Sequence, residues 1–229
     1  QSQAMSRPWT ADEFPQIASW VERISSNLDS CVEAAQRPAF YLPMVDTLSS
    51  DEPLPPLVAV LMPVVQNCRG VSRGLTARAM LHIANGDEAS ARRDILAIYR
   101  LARHLSNAPV VIQSLVGIAS ESQSNACVLQ LLNAGLLNEK SASEWLTAIN
   151  SLPAFEPSVE ILETGERLTA LDLVQAIKLR GPQSLSFFMT VNNHRLQQDA
   201  LDWNAALRTV NDWYDQIVTS ARTPDFPAR

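Results

Sequence analysis

What this chain does without narrows its identity before any motif is sought. Glycine is scarce, at 7 of 229 residues, and runs of alternating β-branched residues are missing. Both absences disfavour sheets and turn-rich architectures and favour helices. Cysteines number 3, and Cys31, Cys68 and Cys127 are widely separated with no CxxC pair. That spacing suggests no zinc site and demands no disulfide framework. Histidines also number 3, and no Glu-x-x-His pair is present to complete a helical di-metal centre. A GxSxG elbow, a Walker loop, HExxH and GxGxxG are all missing. No catalytic residue, metal or cofactor is therefore expected. Nor does any apolar run reach the ~18–20 residues of a membrane span. The longest, Leu54 to Val65, is interrupted by prolines.

Lysine is nearly absent too: Lys140 and Lys178 are the lysines among 18 cationic residues, and the formal net charge is −6. An acidic chain of this kind is a poor general binder of nucleic acid, whose phosphates need a basic surface. What is present in quantity is Ala, Leu and Arg. With 46% hydrophobic and 18% charged residues the composition is globular, and the length allows a substantial core. Most of the 14 prolines cluster at Pro38 to Pro43, Pro53 to Pro56, Pro153 to Pro157 and Pro224 to Pro227, where they punctuate helices.

The most informative stretch is Gly74 to Leu105. Ala91, Ile95, Ile98, Ala102 and Leu105 recur at spacings of four and three and so share one helix face. Gly86 suits the left-handed residue that ends one helix, and Asp87 suits the cap that opens the next. The reading is a helical hairpin turning at Asn85-Gly86-Asp87. Small Ala79, Gly86 and Ala91 also sit where a tetratricopeptide-like repeat places small residues, but no second copy is found.

Around the hairpin the pattern predicts an all-α fold of about seven to nine helices, as antiparallel hairpins stacked in a bundle or a short tetratricopeptide-like array. Thr10 and Glu13 have capping-box spacing ahead of a first helix from about Ala11 to Gln36, with Phe14, Ile17, Val21, Ile24, Leu28 and Val32 as its stripe. Further helices are expected over 55–84, as one long helix or two joined near Pro63 or Gly70, over 110–134 with Gly135 as its stop, over 139–151, and over 158–180 with Gly181-Pro182 as its stop. The last is acidic, with a seam of Leu196, Ala200, Trp203, Leu207, Val210, Tyr214 and Ile217. The whole of 1–229 is expected to be one all-α domain. Within it 1–52 holds the N-terminal helix and connector, 53–181 the central array, 182–223 the acidic helix and 224–229 a mobile tail.

Few residues stand out chemically. Ser120 to Asn125 form a polar run around a helix, so some must face its apolar side. Glu160, Glu163 and Glu166 repeat every three residues, with Arg167 four after Glu163, which suits a solvated face with an intrahelical ion pair. His82 lies one turn after Arg78, near a helix end whose dipole favours a cation. Arg69, Arg73, Arg92, Arg93, Arg100 and Arg103 would gather into a basic patch if the hairpin aligned them. Candidate partner- or ligand-binding residues are thus Arg78, His82, Glu121, Glu163, Glu166 and Arg167.

Arg37-Pro38 with Phe40-Tyr41 and Pro43, the hairpin from Ala77 to Arg103, Leu115 to Ala119 and Gly165 to Ala176 together resemble a family of helical proteins of planctomycete-type bacteria. No activity, cofactor or catalytic residue is attached to that family. The resemblance implies a bacterial source and an exported or envelope location, often with an N-terminal targeting segment. A chain that starts at Gln1 without Met fits the expectation that a signal peptide or anchor has been removed. Where the family pattern has aromatics after Gly-Glu-Arg, this chain has Leu168 and Thr169, which argues against an aromatic pocket there.

The leading expectation is a helical interaction or scaffold module that offers a groove to a protein or peptide. A hydrolase or lyase is the alternative, using Glu163, Glu166 and Arg167 together with Glu121 or His82 in an interhelical pocket. A third reading is a self-assembling structural protein meeting its copy through the Trp203/Tyr214 seam.

Overall fold

The computed structural model describes residues 2–41, 56–106, 110–155, 158–181, 184 and 201–223. All regular structure among them is helical. In order come α1 (Ser2–Ser6), α2 (Pro15–Ala35), α3 (Leu57–Ala84), α4 (Glu88–Ser106), α5 (Val111–Asn133), α6 (Glu139–Asn150), α7 (Ser158–Ile161), α8 (Arg167–Arg180) and α9 (Trp203–Arg222). A π-helical turn, Leu162–Glu166, joins α7 to α8 without a break, so the described residues form eight helices, packed in pairs. The chain is all-α, as its pattern predicts. The expected mobile tail at 224–229 and the seam residues Leu196 and Ala200 lie outside the described residues.

The contacts cluster into two compact units. The first takes in α1, α2, α3 from Val65 onward, α4, α5 from Ile112 onward, and α6. Its hairpin closes as the sequence requires. Gly86 has φ +73°, Asp87 N–H donates to His82 O at 2.9 Å and Gly86 N–H to Ile83 O at 3.1 Å, which is the Schellman arrangement. Ser90 N–H then donates to Asp87 Oδ1 at 3.1 Å and opens α4.

Helix α4 is the centre of this unit. Ala91, Ile95, Ile98, Ala102 and Leu105 are each shut off from solvent, and each of the three larger side chains contributes roughly 1.5–3 kcal/mol by burial. Ile95 and Tyr99 pack with Trp9, Met80, Leu131 and Trp145; Ala97 and Ile98 pack with Leu28, Val32 and Leu75. Contact with α5 is close at Gly117, where a Cβ would stand 2.7 Å from Ala102 O. Trp9, which precedes α2 and belongs to no helical stripe, is buried and donates its Nε1–H to Ala77 O at 3.1 Å.

One local expectation needs correction and another holds. Thr10 and Glu13 form a turn ahead of the helix, with Glu13 N–H donating to Thr10 O at 3.1 Å. The helix itself starts at Pro15, because proline lacks the N–H that a first-turn residue has no use for and its fixed φ suits that position. The polar run of α5 is an internal contact: Ser120 and Ser124 are buried, Ser120 Oγ lies 3.0 Å from Ser72 Oγ, and Ser124 Oγ donates to Ser120 O at 3.2 Å.

The second unit contains the start of α3, α7, the π turn, α8 and α9. Helices α8 and α9 pack side by side, burying Tyr214 and Val218, while Trp213 stays exposed. Asp202 caps α9 by accepting from Ala205 N–H at 2.9 Å. Two further helix starts are capped from 158–180. Asp172 Oδ2 accepts from Leu57 N–H at 2.7 Å, and Glu166 Oε2 from Val111 N–H at 3.0 Å, each carboxylate satisfying a first-turn donor and facing the positive end of a helix. Among the described residues no helix is long and apolar enough to cross a membrane.

Candidate functional site

Arg78 and His82 lie one turn apart on α3, and the structure gives them a common partner. Asp94 of α4 is fully buried and accepts from Arg78 Nε at 2.7 Å and from Nη2 at 2.8 Å. Arg78 Nη1 reaches α2, donating to Ser25 O at 3.1 Å and pairing with Asp29 at 2.9 Å. Burial opposes the Arg78 charge, but the hydrogen bond and charge of Asp94, with Asp29 behind it, more than offset this and raise its pKa. His82 Nε2 is 3.9 Å from Asp94 and Nδ1 3.7 Å from Asp87. Burial is the largest influence on this imidazole and outweighs both carboxylates, so its pKa is lowered. The cation expected at this helix end therefore does not form at neutral pH. The cluster locks α2, α3 and α4 together, and its strongest donors are already spent on protein acceptors.

Glu121 of α5 accepts from Arg103 Nη2 at 2.8 Å. The Arg103 guanidinium lies over the Phe155 ring, 4.1 Å from its centroid, a distance at which the ring face attracts a cation. Arg103 Nε and Glu121 Oε2 are buried and have no hydrogen-bond partner among the described residues. Nearby, Tyr99 OH donates to Asn125 Oδ1 at 2.5 Å, and burial pushes the Tyr99 pKa up to about 12.

Glu163, Glu166 and Arg167 belong to the second unit, and their expected intrahelical pairing does not occur. Glu163 pairs with Arg222, while Arg167 pairs with Asp215 at 2.7 Å and with Asn211 at 3.2 Å and lies near the Tyr214 ring. The π turn Leu162–Glu166 accounts for this, because its wider winding undoes the i,i+4 register on which the ion pair depended. Glu166 is occupied in capping α5. Among the described residues no group of three or more His, Cys, Asp or Glu is arranged to hold a metal.

The arginines do not form one patch. Arg92 pairs with Glu144 and Arg93 with Asp29, each at 2.8–2.9 Å. Arg100 and Arg103, however, come together with Arg37 and His104 around a cleft of about 190 Å³ whose other walls are Ala35, Gln36, Pro38, Leu152 and Pro153. No carboxylate lines it. Arg103 is offset by Glu121, but Arg37 and Arg100 make no ion pair or hydrogen bond among the described residues. A cleft with two uncompensated guanidinium groups and a third spare donor suits an anion, for which arginine offers a planar fork of N–H groups.

A second cavity adjoins it. About 170 Å³ in volume and almost wholly apolar, it is walled by Cys31, Ala34, Phe40, Cys68, Leu75 and Leu101, and it shares Ala35 and His104 with the cationic cleft. Phe40 stacks on His104 with ring centroids 5.7 Å apart, and His104 Nε2 lies 3.3 Å from Ala35 O. A larger open hollow of about 620 Å³ at the start of α2 is lined by Glu13 to Ile17 and Trp20 alone, and it gathers no distant groups.

Of the residues singled out from sequence, Arg78 and His82 share one buried network, Glu121 supports the edge of the cleft through Arg103, and Glu163, Glu166 and Arg167 serve contacts of their own unit. Sequence reasoning missed Arg37 and His104 as cleft residues. Against protein-family models, curated proteins and solved structures alike, the chain finds no match.

Proposed function

We propose that this protein is a non-catalytic helical interaction module that takes an anionic segment of a protein partner at the cleft of Arg37, Arg100, Arg103 and His104. The observation that carries the reading is the pairing state of its arginines. Among the described residues of the first unit, Arg7, Arg78, Arg92 and Arg93 are matched by Asp or Glu and Arg23, Arg69 and Arg73 stand unmatched on the exposed surface, whereas Arg37 and Arg100 are unmatched and share one cleft that no carboxylate lines. On a chain with net charge −6, a local cationic hollow favours an acidic partner that the rest of the surface repels. Paired antiparallel helices suit such a scaffold, as in tetratricopeptide-like arrays. A bacterial envelope location belongs to the same proposal and rests on the family resemblance.

The test is selection from a peptide pool that offers carboxylates as acidic side chains or as free C-termini beside neutral and basic sequences with amidated C-termini, read by fluorescence anisotropy on individual hits. Peptides that carry a carboxylate should be enriched, should lose affinity as salt rises, and should lose it again with Arg37→Gln/Arg100→Gln. Enrichment without preference for a carboxylate of either kind, or affinity indifferent to that double variant at unchanged helix content, overturns the proposal.

A further inference from the structure

The cationic cleft and the apolar cavity share two walls, Ala35 and His104, and this adjacency restricts the ligand more than either hollow alone. The cleft is small, about 190 Å³, which suits one anionic group and not a run of acidic side chains. The cavity, about 170 Å³, is close to the ~150 Å³ that holds a benzene molecule in a dry protein cavity. It therefore suits one phenyl ring or branched aliphatic group. Its walls are thiols, methyls, a phenyl ring and leucines, with nothing on Cys31, Ala34, Cys68 or Leu101 to hydrogen-bond a second polar group strongly.

Anion and apolar group must then sit on adjoining atoms of one molecule. In a polypeptide that condition is met most directly at the last residue, where the carboxylate and the side chain branch from the same Cα. An internal Asp or Glu meets it less well: in an extended peptide its neighbour points to the opposite face, and the residue two along, which shares its face, is about 7 Å away. We infer that the site captures the free C-terminal carboxylate of a partner polypeptide, with the partner's last side chain, aromatic or branched aliphatic, in the cavity beside Cys31 and Cys68. This rests on the anionic-partner reading above and names the segment recognised. Arg100 and Arg37 hold the carboxylate by charge-assisted hydrogen bonds, Arg103 keeps the cleft floor in place through Glu121 and Phe155, and His104 with Phe40 forms the partition between the two hollows.

The full chain is titrated by calorimetry with five probes: acetyl-Gly-Ser-Gly-Phe with a free carboxylate, the same peptide amidated, the free acid ending in Ser, acetyl-Gly-Glu-Phe-Glu-Gly-amide, and 3-phenylpropanoate. The free acid ending in Phe should bind most tightly. Amidation, the Ser ending and the Arg100→Gln variant should each weaken it by about tenfold or more, the usual cost of removing a partner from a charge-assisted hydrogen bond or emptying an apolar pocket. Ala34→Leu, which fills the mouth of the cavity from an exposed position of α2, should weaken the Phe peptide and leave the Ser peptide unchanged.

Equal binding of amide and acid overturns the carboxylate. Equal binding of the Glu-Phe-Glu peptide, with its loss in Arg100→Gln, overturns the C-terminal assignment while keeping the anionic-partner reading. Equal or tighter binding of 3-phenylpropanoate transfers the site to a small free acid and overturns the polypeptide source. If none of the five binds, both readings fall.

Discussion

Arg78 and Asp94 meet side-on across the hairpin, Nε to Oδ2 at 2.7 Å and Nη2 to Oδ1 at 2.8 Å, with both side chains withdrawn from water. Such a pair costs desolvation on both sides, so its presence alone says little about stability. Removing one member is another matter, because the survivor is left charged and unpaired. Arg78→Met should destabilise the first unit by about 3–5 kcal/mol, whereas Arg78→Met/Asp94→Leu should recover much of that loss. Urea unfolding of the three proteins, followed by circular dichroism, checks both. A single variant as stable as wild type would mean that the pair is not closed in solution.

His82 sets a pH dependence whose sign follows from its surroundings. Asp94, Asp87, Arg78 and Arg93 all act on it, but burial dominates and lowers its pKa from the ordinary 6.5. The unfolded chain therefore binds the proton first as pH falls through 6.5, and native stability declines until the folded-state value is passed, below which the loss is complete. Asp87, also lowered from 3.8 by its contacts with Ser90, acts in a separate and more acid window. Unfolding midpoints at about pH 7.5 and 5.5 should differ in wild type, with the lower value in acid, and His82→Gln should flatten that difference. A wild-type midpoint that rises on acidification would reverse the sign and refute this account.

Two glycines should respond to alanine in opposite directions. At Gly117 the added methyl would stand 2.7 Å from Ala102 O, a backbone atom of α4 that cannot step aside, and a cost of about 1–3 kcal/mol is expected. At Gly70, in the middle of α3, nothing lies within 4 Å of the added atom, so the better helix former should add about 0.5–1 kcal/mol of stability. Thermal melts of both variants decide it: Gly117→Ala as stable as wild type would contradict the packing of α4 against α5, and a destabilised Gly70→Ala would contradict the open space beside α3.

Much of this was legible from the chain. Every residue of the α4 stripe is buried, because a helix that packs on one side and meets water on the other must repeat its apolar side chains at the helix's own period. Gly86 and Asp87 act as stop and start because each answers a local backbone need that no distant residue can alter. What stayed hidden depends on distance. Trp9 sits in the core without belonging to any periodic stripe, and the π turn reassigns Glu163 and Arg167 to partners on α9, which no i,i+4 rule anticipates. The cleft is the plainest case: Arg37 follows α2, Arg100 lies on α4, and Leu152 follows α6, so their meeting is a property of helix packing and leaves no spacing in the sequence.

Thiol reactivity offers an independent view of the cavity. The three cysteines are free, and burial raises the pKa of each: Cys127 to about 12, with Cys31 and Cys68 also shifted upward. The thiolate is the reactive form, so all three should alkylate slowly, and access should then set the order. Cys31 is partly exposed, Cys68 is buried beside it in the apolar cavity, and Cys127 is sealed in the core. Iodoacetamide at about pH 8.5, with peptide mapping over time, should label Cys31 first, Cys68 more slowly, and Cys127 no faster than the protein opens. Because Cys31 and Cys68 line the cavity and Cys127 does not, a ligand seated there should slow the first two and leave the third alone. Cys127 labelling as fast as Cys31 would mean that α5 does not seal the core, and unslowed Cys31 in the presence of a bound peptide would place that peptide somewhere else.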